Sequence, residues 1–591
     1  MRALATMSLL LATIGGAAPA LAQQATSAPQ SADARLKALY DSYWAWAQAD
    51  DGRVKQGDRW VGVHLPDVSI PAQEKRIAYW RQAMAALDTI AVDQLSAEEK
   101  INAAVFREIL RANIARSAFR DWEMPFNSDS NFWSDLARER GTDGKAEDYQ
   151  RAIDRMREIP HYFDQQIANM QAGLKRGFSV PQATLAGRAD SIAPYADPNL
   201  DKNPFYAAFK TLPKSIPAAE QDKLRADAKA AITTSVIPAY TKLLAFIRDQ
   251  YVPQARKTLA AEAMPDGKAF YATQIKEYTT LDLTAEQIHA IGLQEVARIE
   301  AEMKDTMVRS GFKGDFAAYL KFLKTDPQFV AKTPDELMGV SSYVAKRVDG
   351  KLAEEFLILP RYRFTIIPVP DAIAPFYTSG RGGLQACMMN TYDLPSRPLY
   401  NIPALTLHEC APGHSFQAAL ALEQPSKPEF RRATYFSGYG EGWGLYCEWL
   451  GREMGIYRNP YEEFGQLSYA MWRAVRLVID TGVHHYGWSR QQAIDYLAGH
   501  TALSQHEVET EVDRYISWPG QALAYKLGEM TIRRLRAKAE EELGATFDKR
   551  TFHNAILSTG AVPLPVLEEQ ITLFIAREKA KPAKSAAPPT S

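Results

Sequence analysis

The 591-residue chain is poor in several things, and each shortage excludes something. Its three cysteines, Cys387, Cys410 and Cys447, are too few for a disulfide framework. Charge of one sign is not in excess: 69 Lys and Arg face 70 Asp and Glu, so no global basic field points to nucleic acid. Beyond the N-terminus we see no apolar run of about 18 residues to place in a membrane. No repeat of about 20–50 residues stands out, which argues against a solenoid or propeller. At 46% hydrophobic and 24% charged, the chain is close to the globular average, not disordered, collagen-like or coiled-coil. Histidine is scarce too. Of only ten, six fall between His408 and His506, and that clustering is the first sign of a site.

The chain starts Met1-Arg2, runs apolar through Leu9-Leu10-Leu11, and reaches Ala20-Leu21-Ala22 before Gln23. A charged start, a short apolar run and small residues at a cleavage position read as a secretory signal peptide over 1–22. The mature chain then works in the periplasm or is secreted. No cysteine stands near the cut to carry a lipid anchor. The C-terminal stretch 578–591, rich in Lys, Ala and Pro, reads as a disordered tail.

Between these ends the pattern is mainly α. Apolar residues recur at helical spacing, as in Leu36, Leu39, Tyr40, Tyr43 and Trp44. Ser96-x-x-Glu99, Thr284-x-x-Gln287 and Ser489-x-x-Gln492 are capping boxes, and Thr333-Pro334 places proline at a first helical position. Tyr362 to Pro370 is different: β-branched and aromatic, with prolines that suit an edge strand. The Gly-rich turn Ser379 to Gly383 follows, then a second candidate strand, Leu384 to Tyr392. A small sheet is therefore expected just upstream of the histidine cluster. A soft boundary near Pro253 to Met264 divides an N-terminal helical region, 23–255, from a region, 256–577, that carries the chemistry. Both halves read as helical and are able to share one core.

The segment Leu407-His408-Glu409-Cys410-Ala411-Pro412-Gly413-His414 resembles H-E-x-x-H, where two histidines one turn apart hold zinc and the glutamate is the base. Here the second histidine is six residues on. On an unbroken helix that spacing turns it about 120° away from the first. Pro412 prevents an unbroken helix, since it lacks an N–H and clashes with the carbonyl of His408. A Pro412-Gly413 bulge is expected to bring His414 back round. A hydrolytic zinc site takes three protein ligands and leaves a position open. Gly438-Tyr439-Gly440-Glu441-Gly442-Trp443-Gly444-Leu445-Tyr446-Cys447-Glu448 supplies the third. Glu441 and Glu448 are seven apart and share a helix face, Glu441 as ligand and Glu448 as alternate ligand or support for a ligand histidine.

HECAPGH followed by GYGEGWGLYCEWLGREMG resembles the bacterial family DUF885, predicted zinc metallopeptidases related to the gluzincins, whose pattern is H-E-x-x-P-G-H and then G-E-G-W-x-L-Y-x-E. Residues 279–303, 480–497 and 514–528 match further. The resemblance runs from about Lys268 to Ile575 and is weak N-terminal to that. It implies a mostly helical fold with a deep central cleft, zinc on His408, His414 and Glu441, Glu409 as general base, and oligopeptide substrates. Cys410 stands where the family more often has alanine; it is expected to pack as a small apolar residue.

A donor to the oxyanion is also needed. Among His484, His485, Tyr515 and Tyr525, we favour His485 and Tyr515, with Tyr525 next. Arg473, Arg476, Arg514 and Lys526 are candidates for holding a substrate carboxylate, against the plainer reading of internally paired charge. GRGG at 380–383 is no phosphate loop, because no Lys-Ser/Thr follows. The chemistry these residues predict is metal-assisted hydrolysis of peptides. A zinc amidohydrolase acting on non-peptide or cell-wall amides, and a non-catalytic metal-stabilised binding protein, are the alternatives. Oligomeric state is not readable from the chain.

Overall fold

The computed structural model describes residues 31–581 except 129, 138–143, 372–373 and 424–426. The expected signal peptide and residues 582–591 lie outside the described residues. Helix accounts for 69% of the molecule and strand for 4%, in agreement with a mainly α fold carrying small sheets. The last helix, Leu564–Lys579, runs two residues into the stretch expected as tail.

The N-terminal signals form where their chemistry requires. Thr284 and Ser489 make reciprocal capping boxes with Gln287 and Gln492, and Ser504 does the same with Glu507. Ser96 accepts from the Glu99 amide without the return bond. Thr333 caps the helix that Pro334 opens. The elements that matter for the site are α1 (Ala285–Arg309), α2 (Ile402–Glu409), α3 (His414–Leu422), α4 (Ser437–Glu453), α5 (Pro460–His484), α6 (Gln505–Ser517) and α7 (Ala524–Leu543). Asn459 caps α5 by accepting from the amides of Tyr461 and Glu462. Nearly every residue of α5 is buried, which makes it the central helix of the fold.

Two close helix crossings rest on glycine. A Cβ at Gly292 of α1 would lie 2.8 Å from Leu477 and Val478 of α5, and one at Gly442 of α4 would lie 2.6 Å from the Gly528 backbone of α7. Side chains there would hold the axes apart.

The main core joins the two ends of the chain. Leu36, Tyr40, Val105 and Phe106 share it with residues from Val296 to Ile575. A separate core is built within residues 126–255, around Phe163, Ile232 and Tyr240. The helical stretch Ala218–Gln254 belongs to that core, and its apolar window has a mean hydropathy of 1.4. The window is 44% buried, and Leu243 and Phe246 of this stretch pack into that core, so the apolar residues supply a core face.

Two small sheets are present among the described residues. β1 (Arg53–Gln56) and β2 (Arg59–Gly62) form an antiparallel hairpin. β3 (Thr365–Pro368), β4 (Gly380–Gly382) and β5 (Ala386–Met389) form a second sheet in the order β3-β5-β4. β3 is an edge strand parallel to β5, with Ile366 opposite Cys387, as its prolines require. The Gly-rich segment expected as a turn holds β4 itself, antiparallel to β5 and lying against α2.

Candidate metal centre

His408 and His414 come together by a change of helix. α2 ends at Glu409, the Ala411–Pro412 peptide is cis, and α3 begins at His414. The expected bulge within one helix is therefore corrected to a break between two. Proline at 412 cannot continue α2, and Ser415 Oγ donates to the Glu409 carbonyl that the break leaves open, at 3.1 Å. Gly413 passes so close to the His408 carbonyl that a Cβ would collide with it. Trp443 Nε1 of α4 donates to the Pro412 carbonyl at 2.9 Å and ties the break to the next helix. The two imidazole rings end 4.8 Å apart and nearly perpendicular.

α4 carries four glycines at alternate positions around Glu441, and each clears space for something different. At Gly438 a Cβ would press on Leu564 and the Thr279 carbonyl, and at Gly442 on the Gly528 backbone of α7. At Gly440 a Cβ would meet the Tyr435 ring, and at Gly444 it would lie 2.6 Å from His408 Cε1. Glu441 and Glu448, two turns apart on this helix, both reach His408.

Glu441 Oε2 lies 3.5 Å from His408 Nε2 and 3.3 Å from His414 Nε2. One ligand atom from each of His408, His414 and Glu441 falls within 4.8 Å of the others. Glu448 sits on the far side, its Oε1 2.8 Å from His408 Nδ1, where it orients the ring and leaves Nε2 facing Glu441. Burial opposes charge on His408, but hydrogen bonds to Glu441 and Glu448 outweigh it and push the imidazole up to about 10. Burial also works against charge on Glu441, yet the two histidines hold its carboxyl well below the usual range. The pocket favours positive charge between the carboxylates.

Glu409, next to His408, is aimed by the sheet: the Gly382 amide of β4 donates to its Oε2 at 2.6 Å. A Cβ at Gly382 would come within 2.6 Å of His414 Cβ, so only glycine lets β4 approach this closely. A disulfide, Cys387–Cys410, joins β5 to the end of α2. This corrects the expectation that Cys410 packs as a free thiol. Its partner is 23 residues away on a strand, and only the register of β5 beside α2 brings the two sulfurs together. Cys447 is free and buried.

The remaining sequence candidates have their own partners. His485 lies between Glu262 and Glu286, at 2.8 and 3.0 Å, beyond the C-terminus of α5. His484 is buried, with its Nδ1 accepting from the Ala261 amide. Tyr515 is buried, and its hydroxyl accepts from Trp472 and Arg476, each at 2.9 Å. Tyr525 accepts from Arg514 at 3.3 Å. Lys526 pairs with Glu295 and Glu529. Sequence reasoning missed Tyr435, whose hydroxyl donates to Glu441 Oε1 at 3.0 Å while its ring stays half exposed. Its surroundings, and then the Glu441 carboxylate, keep the phenol protonated. Gly440, where a Cβ would run into the Tyr435 ring, was the one signal, and its meaning depends on a ring supplied by the preceding loop.

A "putative lipoprotein" from Colwellia psychrerythraea superposes on 92% of this chain and 99% of its own with a TM-score of 0.85, at 26% identity. A "putative lipoprotein of unknown function" from Shewanella oneidensis superposes on 92% and 100% with a TM-score of 0.69; at 16% identity that likeness is one of fold alone. Among curated proteins, none matches the chain. The family model described as "Bacterial protein of unknown function (DUF885)" matches residues 54–571, well beyond the reach of the motifs toward the N-terminus, and the chain is a member of that family.

Proposed function

We propose that the protein is an extracytoplasmic zinc-dependent peptidase that hydrolyses oligopeptides. The observation that carries this reading is the convergence of His408, His414 and Glu441 beside a separately held Glu409. Two imidazoles and one carboxylate are the donor set of a hydrolytic zinc site. Glu448 is engaged with His408, so among the described residues the grouped donors number three, the count of a hydrolytic site rather than the four protein ligands of a structural one. That favours catalysis over the metal-stabilised binding reading. When bound, zinc lowers the pKa of water and polarises a carbonyl.

The chain's own residues do the rest. Glu409, held by Gly382, accepts the proton of the attacking water and returns it to the leaving amine. Tyr435 reaches the Glu441 carboxylate from a half-exposed position, which suits it better as donor to the oxyanion than Tyr515, whose hydroxyl is enclosed by Trp472 and Arg476. β4 runs beside Glu409 and offers backbone to an extended peptide. The Cys387–Cys410 disulfide supports an oxidising compartment, and the two similar structures described as lipoproteins support an envelope location.

The test is metal analysis with a peptide screen. Wild type should hold about one zinc per chain, and His414→Ala and Glu441→Ala should lose it. Glu409→Gln should keep zinc and lose turnover. Full turnover in Glu409→Gln would remove the base assignment; activity on non-peptide amides alone would move the substrate class to the amidohydrolase alternative.

A further inference from the structure

The loop between the short helix Leu352–Glu355 and β3 reads Phe356-Leu357-Ile358-Leu359-Pro360-Arg361-Tyr362-Arg363. The aliphatic run is pinned at both ends. Phe356 is buried against Phe416, with ring centroids 4.8 Å apart, and Pro360 is buried as well. Between them Leu357, Ile358 and Leu359 are 39–54% exposed, three consecutive aliphatic side chains held out to solvent. Such a run works against solubility and is kept where something covers it. Glu423 Oε1 accepts from the amides of Arg361 and Tyr362 at 2.7 and 2.9 Å, which sets the exposed Leu422 and Tyr362 alongside. The charges at this rim are layered, with the cations outermost. Arg361 is 89% exposed over Glu423 at 14%, and Arg363 is 72% exposed over Asp349 at 39%. Both pairs are long, at 3.4 and 3.6 Å.

We propose that this loop docks the protein on an anionic phospholipid bilayer, with Leu357, Ile358, Leu359, Tyr362 and Leu422 entering the boundary between headgroups and acyl chains, and Arg361 and Arg363 meeting lipid phosphates. The exposed apolar area is on the order of a few hundred Å², short of the roughly 800 Å² per partner that a stable protein interface buries. A bilayer needs less. A few aliphatic side chains and an interfacial tyrosine supply apolar burial, and each cation beside them adds attraction to anionic headgroups. The exposed guanidinium groups bind phosphate oxygens in a bidentate fork. The loop runs directly into β3, the outer strand of the sheet whose β4 lies on Glu409, so docking holds that sheet at the membrane surface. The proposal is independent of the peptidase reading.

The mature protein is sedimented with phosphatidylcholine vesicles containing about a third phosphatidylglycerol, and with phosphatidylcholine vesicles alone, at about 0.1 M salt. It should bind the mixed vesicles and bind the neutral ones about tenfold more weakly. Leu357→Ser together with Ile358→Ser should weaken binding about tenfold, through the loss of two aliphatic side chains from the buried contact. Arg361→Gln together with Arg363→Gln should also weaken it about tenfold and flatten its dependence on salt. Circular dichroism checks that each variant is folded, and the arginine pair decides the matter should the serine pair fail to fold. No binding, equal binding to both kinds of vesicle, or binding that a folded pair of substitutions leaves unchanged overturns the proposal. A concentration-dependent dimer seen by light scattering and abolished by the serine pair would assign the loop to a second copy of the chain, and overturns it too.

Discussion

At the scale of single residues, the site depends on glycine as much as on its polar groups. A Cβ at Gly444 would press on His408 from 2.6 Å. Gly444→Ala is expected to push the ring off its line to Glu441 and lower zinc content well below one per chain, with helicity by circular dichroism unchanged. Full zinc occupancy in Gly444→Ala would show that the ring adapts. Tyr435→Phe removes one hydroxyl and leaves all three ligands. On the proposed reading it should keep zinc and lower kcat by about 10²–10³, the usual cost of one oxyanion donor; loss of zinc instead would mean that Tyr435 only positions Glu441. The candidate ligands were legible in the sequence because a metal needs particular donors at particular spacings. Tyr435 was not, because its approach to Glu441 is set by the loop before α4.

At the scale of elements, α5 and the sheet each hold a testable device. Asp480 of α5 is fully buried, accepting from Tyr271 at 2.6 Å and from the Gly520 amide. Burial raises its carboxyl from 3.8 to about 7. The folded state therefore binds this proton more tightly than the unfolded chain does. Its contribution is complete below the unfolded value and is lost as pH rises through about 7. Asp480→Asn should raise Tm at pH 8 relative to wild type, by up to a few kcal/mol of stability, and the gain should vanish near pH 4. A gain independent of pH would refute the titration. The disulfide closes a 23-residue separation and fastens β5 to α2. Reduction, or Cys387→Ser, should cost about 3 kcal/mol in thermal or urea unfolding. β3 and β5 were readable from composition, but the β1–β2 hairpin was not, and neither was β4, since two of its three residues are glycine and its strand character comes from pairing with Met388 and its neighbours. The break between α2 and α3 was foreseen as a break in direction; its form, two helices and a cis peptide, follows from Ser415 and Trp443, which satisfy the opened carbonyls from outside the segment.

At the scale of the whole molecule, the N-terminal helices are part of the same core as the metal centre. Tyr40 packs on Phe430 with ring centroids 4.9 Å apart, and Arg431 reaches Asn102 at 2.7 Å. A fragment limited to residues 256–577 would expose that surface, so it is expected to be insoluble or to lack cooperative unfolding, where the full chain melts in a defined transition. The candidate ligands come from α2, α3 and α4, so a bound metal would add to the hydrogen bonds and packing that already join these elements. Chelation should lower Tm by several degrees and added zinc should restore it, by the mass action of a ligand that binds only the folded state; an unchanged Tm would show that the centre forms without metal support.

The sequence by itself determined the helical class, the main caps, the edge strand and the candidate donor residues that the fold brings together, because each depends on near neighbours or on the intrinsic chemistry of a side chain. Tertiary structure alone decided the partners that come from afar: the disulfide between β5 and α2, the amide of β4 on Glu409, and Tyr435 on Glu441. Those contacts join residues that are distant in the chain or aimed by packing, and local periodicity carries no information about which element will stand opposite.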